Sequence, residues 1–160
     1  MTPAYHVLFL CTGNCCRSQM AEAILAHLGP DRFVAHSAGS APAGFVHPLV
    51  EDALKLLGIP LHRHARSKSW NEFEHRRLDL VITVCDFAAD LCPAWAKRNL
   101  VAHWPLPDPS FLPGTGKQRL EAAVRIAERL RLKIERLIAL DFDRADKASL
   151  TSQLEMIGQL

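Results

Sequence analysis

At 160 residues, 49% of them hydrophobic and 22% charged, the composition excludes a disordered chain and suits one compact domain able to bury about two-thirds of its unfolded surface. Nineteen basic against 17 acidic residues leave a formal net charge of +2, which gives no support to nucleic acid or an acidic membrane surface as partner. No apolar run reaches the ~18 residues of a membrane span, and Met1 to His6 lack a basic segment, so no signal peptide is expected and the chain reads as cytosolic.

The apolar run Val7-Leu8-Phe9-Leu10 predicts a buried first strand over Tyr5 to Leu10. Ser18 then stands where a cap is needed for a helix whose apolar positions Met20, Ala21, Ile24, Leu25 and Leu28 recur at helical spacing, stopped by Gly29-Pro30. Phe33 to Ser37 reads as a second strand, followed by a Gly/Ala/Pro-rich loop from Ala38 to Gly44. His47-Pro48 opens a second helix with Val50, Ala53, Leu54 and Leu57 on its apolar side and Gly58 as its stop. The basic stretch His62 to Arg77 is expected to hold a short helix from Ser69 to His75. Leu80 to Val84 and Asn99 to His103 are the third and fourth strands. Four prolines make Pro105 to Gly116 an ordered loop, Gln118 to Leu140 is a long amphipathic helix rich in Arg and Glu, and Leu150, Leu154 and Ile157 permit a last helix between Ala145 and Leu160. The alternation predicts a single α/β domain over residues 1–160, a parallel sheet with helices on both faces. Ligands of such sheets bind beyond the carboxyl ends of the strands, where Cys11, Cys85 and Asp108 follow the first, third and fourth strands.

Cys11-Thr12-Gly13-Asn14-Cys15-Cys16-Arg17-Ser18 follows the first strand directly. A turn of this kind can wrap an oxyanion, because its backbone N–H groups and the start of the next helix point inward and the helix dipole adds positive charge. The same field is expected to favour the thiolate of Cys11, placing a nucleophile beneath the anion. Arg17 adds a planar fork of donors suited to a tetrahedral oxyanion. Five cysteines in a cytosolic chain point to catalytic, redox or metal chemistry rather than structural cross-links. Cys85 and Cys92 flank six residues, neither a thioredoxin-like CxxC nor a zinc knuckle. On one rigid helix they would lie about 10 Å apart, too far for a disulfide, so pairing them requires the segment to unwind. Asp108, between Pro107 and Pro109, suits a general acid or a turn cap, and His103-Trp104 can line the pocket or pack. Gly114-Thr115-Gly116-Lys117 fails the nucleotide-loop pattern, and His62 and His64 read as surface residues rather than metal ligands; no metal site is expected.

The run from Cys11 to Glu22 resembles the anion loop of the low-molecular-weight phosphatase superfamily, and its ending Ser18-Gln19-Met20-Ala21-Glu22 is similar to that of the thiol-dependent arsenate reductases. His36-Ser37-Ala38-Gly39, Val81 to Asp86, Cys92-Pro93 and His103-Trp104 through Asp108-Pro109 resemble that branch in order and spacing, so the likeness covers about residues 5–140. The resemblance implies four parallel strands and a three-thiol relay without a cofactor. In that relay Cys11 attacks arsenate held by residues 12 to 18 of the loop and by Arg17, with Asp108 as acid, and then Cys85 and Cys92 pass the oxidation outward to thioredoxin, or to glutaredoxin with glutathione. Cys15 stands where relatives carry serine or an aliphatic residue, and Cys16 is the second loop cysteine seen widely in the superfamily. Some relatives bind potassium through residues matching Asn14, Glu22 and Ser37, but Lys68 stands where they carry an aspartate, so its ammonium is expected to replace the ion. The rival reading is a tyrosine phosphatase on the same fold. That family carries its acid in a late Asp-Pro-Tyr segment, whereas here Asp141-Phe142 and Asp143-Arg144 lack the proline and the only tyrosine is Tyr5. Small size and no obvious apolar seam favour a monomer.

Overall fold

A computed structural model describes residues 4–160; Met1 to Pro3, part of the segment on which the signal-peptide expectation rests, lie outside the described residues. Four parallel strands form one sheet in the order β2-β1-β3-β4: β1 (Tyr5–Cys11), β2 (Phe33–Gly39), β3 (Leu80–Thr83) and β4 (Leu100–His103). Val7 to Leu10 and all of β3 are buried, as expected of central strands covered on both faces. The chain moves outward from β1 to β2 and then back across to β3 and β4. This reversal opens a crevice at the carboxyl ends of β1 and β3, the position such sheets use for ligands.

Alternation along β1 separates the two faces. Tyr5 and Phe9 share the face that packs on Phe33, Phe142 and Trp104, while His6 on the other face stacks on His36, which meets Phe73. The helices are α1 (Arg17–Leu28), α2 (Pro48–Leu56), α3 (Asp86–Asp90), α4 (Gly116–Ile138) and α5 (Lys147–Gly158). In α4, Ala123, Ile126, Ala127, Leu130, Ile134 and Leu137 form the buried stripe at helical spacing. Its start is a capping box between Thr115 and Gln118, which is what the Gly114 to Lys117 segment serves. Among the described residues no helix is long and apolar enough to cross a membrane.

Beyond one-residue differences at the ends of β1, β3 and β4, four expectations shift in detail. The strand read as Phe33–Ser37 runs on to Gly39, and the helix read as Ser69–His75 is a single 3-10 turn, Trp70–Phe73, capped by Ser69. The long helix starts and stops two residues earlier than its apolar pattern suggested. Ser18 is not the cap of α1: Cys16 holds that position without a side-chain bond, because the Ser18 hydroxyl is drawn to Cys11.

Candidate active site

The turn from Cys11 to Arg17 is held open by its carbonyls. Cys11 O accepts from Ser40 N, Thr12 O from Ala41 N, Gly13 O from Ala43 N and the Ser67 hydroxyl, Cys15 O from His47 N, and Cys16 O from Met20 N. Asn14 O accepts from Gln19 Nε2 at 3.1 Å. With the oxygens engaged by the chain behind the loop, the N–H groups of Gly13, Cys15, Cys16 and Arg17 have no acceptor among the described residues. Asn14 turns the chain with φ +47°, a left-handed conformation that asparagine tolerates. Gly39 is needed for a different reason: a Cβ there would overlap the Thr12 carbonyl and crowd Asn14 N at 3.0 Å. The result is a concave nest of unsatisfied donors at the head of α1, the backbone chemistry of an oxyanion site.

A polar chain ends on the Cys11 sulfur. Lys68 N and Gln19 Nε2 both donate to Asn14 Oδ1, at 3.0 and 3.1 Å, which fixes the amide so that Asn14 Nδ2 donates to Ser18 Oγ at 2.8 Å. The Ser18 hydroxyl lies 2.8 Å from Cys11 Sγ, placed to donate to that sulfur when it is ionised, and Asn14 N donates to the same sulfur at 3.1 Å. Cys11 is only 3% exposed. Burial pushes its thiol up, against the Ser18 hydroxyl and backbone, the Asn14 N–H and the Arg17 charge, which pull it down. The net direction is upward, contrary to the thiolate expected from the loop's field, because desolvation of a sulfur sealed beneath the loop outweighs those donors. Cys16, equally buried, is pushed up strongly by the same cause, and burial also raises half-buried Cys15.

Arg17 leans across the opening, Nη1 donating to Leu106 O at 2.9 Å and Nη2 lying 3.4 Å from Asp108 Oδ2. Asp108 is the turn cap that the sequence allowed, with one carboxylate oxygen left outside the cap. Its Oδ1 caps a 3-10 turn by accepting from Ser110 N at 2.9 Å and Ser110 Oγ at 2.6 Å, while Oδ2 faces Arg17. A recess of about 330 Å³ lined by Arg17, Asp86, Pro105, Leu106 and Pro107 opens beside them. Cys85 sits at the end of β3 with Sγ 3.5 Å from Thr12 Oγ1, at the rim of the anion loop. It also caps α3, accepting from Ala88 N at 3.4 Å. That helix is five residues long and ends before Cys92, so the segment between the two thiols is not the rigid helix whose span would forbid their pairing. All five cysteines are free thiols. His103 packs between elements rather than lining the opening, with Nδ1 against Thr83 Oγ1 and Nε2 against Asp86 Oδ1, both at 2.8 Å.

Behind the loop, Ser37 Oγ donates to Glu22 Oε2 at 2.9 Å, and Lys68 Nζ reaches Ser37 Oγ at 3.5 Å and Arg66 O at 3.1 Å. Burial raises Glu22 and lowers Lys68, each offset by the other's charge. His62 and His64 are exposed on the rim of a cavity of about 510 Å³ that backs on α1, away from Cys11. The sequence shows Gln19 only as part of the Ser18–Glu22 ending and Ala38 to Gly44 only as a loop, so the part that Gln19, Ser40 to His47 and Ser67 play in holding the anion loop is not visible in it.

Residues 6–136 match the family described as low molecular weight phosphotyrosine protein phosphatase. An arsenate reductase from Halalkalibacterium halodurans is 34% identical over 129 residues, which cover 81% of this chain and 91% of that one. Among solved structures, an arsenate reductase in its phosphate-binding state superposes with a TM-score of 0.72 at 30% identity, covering 84% of this chain and 97% of the other. A thioredoxin-dependent arsenate reductase from Corynebacterium glutamicum does so with a TM-score of 0.63 at 31% identity, over 86% of this chain and 63% of that one.

Proposed function

This chain belongs to the low-molecular-weight phosphotyrosine protein phosphatase family, and from that premise we propose that it reduces arsenate to arsenite through a three-thiol relay. The observation that carries the reading is the position of Cys85, whose sulfur touches Thr12 at the rim of the loop that holds Cys11. Hydrolysis of a phosphate ester has no use for a thiol there; a reduction that must pass two electrons away from Cys11 does.

In the first step the inward N–H groups and the Arg17 fork hold the tetrahedral dianion over Cys11. Cys11 gives its thiol proton to the bound dianion, its thiolate bonds to arsenic, and an oxygen leaves as water, protonated by Asp108 from the side that Arg17 faces. In the second step the Cys85 thiolate attacks the Cys11 sulfur. A Cys11–Cys85 disulfide forms, the sulfur–arsenic bond breaks with its electron pair staying on arsenic, and arsenite leaves. Cys85 then no longer offers a free sulfur to cap α3, which loosens a helix too short to stand alone. Cys92 attacks Cys85, freeing Cys11 and leaving a Cys85–Cys92 disulfide, each exchange being thiolate attack on an electrophilic sulfur. An external dithiol reduces it. Phe87 and Leu91, one turn apart on the α3 segment, are both at least half exposed, an apolar surface that a protein reductant of the thioredoxin kind can cover and that glutaredoxin's glutathione chemistry does not require.

The phosphatase reading shares Cys11, Arg17 and an aspartate. Its late acid has no counterpart here: Asp143 accepts from the Tyr5 hydroxyl at the amino end of β1, the opposite end of the sheet from Cys11. A single-turnover experiment tests the relay. The fully reduced chain with excess arsenate and no reductant should release one arsenite per chain and lose two thiols to a Cys85–Cys92 disulfide, located by mass spectrometry. Cys92→Ser should stop with Cys11 joined to Cys85. Arsenite release without loss of thiols would overturn the relay.

A further inference from the structure

The family match ends at residue 136, and the curated relative is covered almost to its full length while nearly a fifth of this chain lies outside the match. Helix α5 lies beyond that end, and three specific contacts set it against α4 and the end of β4. The Trp104 indole N–H donates to Leu154 O at 3.0 Å. Lys133, fully buried on α4, spends its ammonium on the end of α5, donating to Ile157 O, Gly158 O and Leu160 O at 3.2, 3.0 and 2.9 Å. Gly158 lies so close to β4 that a Cβ there would be 2.6 Å from His103 O and 3.0 Å from Trp104 Cδ1. A buried lysine and a helix backbone pressed on a strand are a built contact, beyond what apolar docking of Leu150, Leu154 and Ile157 demands.

What that contact holds is the root of the acid loop. Trp104 is completely buried, its backbone N–H donating to Thr83 O at 2.8 Å, and Leu106 N continues the ladder to Val84 O at 3.3 Å. Leu106 O receives Arg17 Nη1, and Asp108 stands two residues on. Pro105, Pro107 and Pro109 fix φ at alternate positions between Trp104 and Ser110, so a shift at Trp104 is transmitted to Asp108 rather than absorbed on the way.

We propose that α5 is a brace for the acid loop: Trp104 and Gly158 are positioning residues that aim Asp108 at the oxyanion site. The inference rests on the reading of Asp108 as the acid of arsenate reduction. Trp104→Phe keeps an aromatic ring in the core but loses the indole donor and part of the ring's packing; Gly158→Ala pushes α5 off β4. Both are made in the full chain, alone and combined with Asp108→Asn. Each single variant should lower kcat of thioredoxin-coupled arsenate reduction by roughly tenfold, inside the roughly hundredfold that a misplacement of about 1 Å can cost, and leave KM for arsenate unchanged. On the Asp108→Asn background neither should lower kcat further, because the group they aim is gone. Hydrogen exchange at the Leu106 and Ser110 amides should quicken in both, with Asn14 N–H unaltered. A loss that adds fully to that of Asp108→Asn, or exchange at Leu106 and Ser110 equal to wild type in both variants, overturns the brace. Wild-type chain that turns over no arsenate overturns the proposed function instead, and the exchange result then decides the brace by itself.

Discussion

Ser18→Ala isolates the group that does most to pull the Cys11 thiol down. The hydroxyl sits 2.8 Å from Cys11 Sγ and 2.8 Å from Asn14 Nδ2, and heads the influences that pull a buried thiol down. A hydrogen bond to a charged acceptor contributes about 1.5–3 kcal/mol, and each pH unit corresponds to about 1.36 kcal/mol. Its loss should therefore move the Cys11 titration upward by roughly one to two pH units. At neutral pH the thiolate fraction falls by the same factor, roughly ten- to a hundredfold. A more basic thiolate is a better nucleophile with a Brønsted slope of about 0.4–0.5, which returns close to half of the loss on a logarithmic scale. The net expectation is a roughly 3- to 15-fold slower alkylation at pH 7. The assay is the iodoacetamide rate at Cys11, followed by peptide mass spectrometry from pH 6 to pH 10. Ser18→Thr keeps the hydroxyl and should track wild type. A Ser18→Ala profile that overlays wild type, or moves to lower pH, refutes the hydrogen-bond chain from Gln19 and Asn14 through Ser18 to the sulfur.

Three further outcomes are expected. Gly39→Ala should abolish protection of Cys11 by inorganic phosphate, since the new methyl displaces the Thr12 carbonyl and opens the nest; protection retained at wild-type phosphate concentrations would show that the loop tolerates the shift. His36 is held neutral by burial and by the Arg76 and His6 charges, its pKa lowered to about 4. Above about pH 6.5 it is neutral in both states; below, only the unfolded chain takes the proton, so stability should fall as pH drops from about 6.5 to 4. The slope is under about 1.4 kcal/mol per pH unit for this half-buried ring, and His36→Gln should flatten it in urea titrations. Potassium chloride in place of sodium chloride should leave arsenate turnover unchanged, because the Lys68 ammonium already reaches Ser37 beside Glu22; a several-fold rise with potassium alone would count against that role.

The fold was legible because β1 and β3 are short apolar runs bounded by turn residues and α4 keeps its apolar stripe for over four turns. The loop was legible because its reactive groups are contiguous from Cys11 to Ser18, and Cys85 and Asp108 each follow a strand end. Local rules went wrong where a long-range partner outbid them. Ser18 has the chemistry of a helix cap, yet the Cys11 sulfur takes its hydroxyl. Gly13 O is held by Ser67, 54 residues away, and no periodicity encodes that bond. The direction of the Cys11 titration was misread for the same reason. The donors can be listed from the loop, but the depth of burial that opposes them is set by the whole sheet.

The most direct test of the relay is NADPH oxidation on adding arsenate to this chain with thioredoxin and thioredoxin reductase, run beside Cys11→Ser and Cys92→Ser. The account predicts arsenate-dependent, multiple-turnover oxidation in wild type that is absent from both variants. Sustained oxidation by Cys92→Ser equal to wild type would contradict it, since the Cys85–Cys92 disulfide would then not be the form that the reductant recycles.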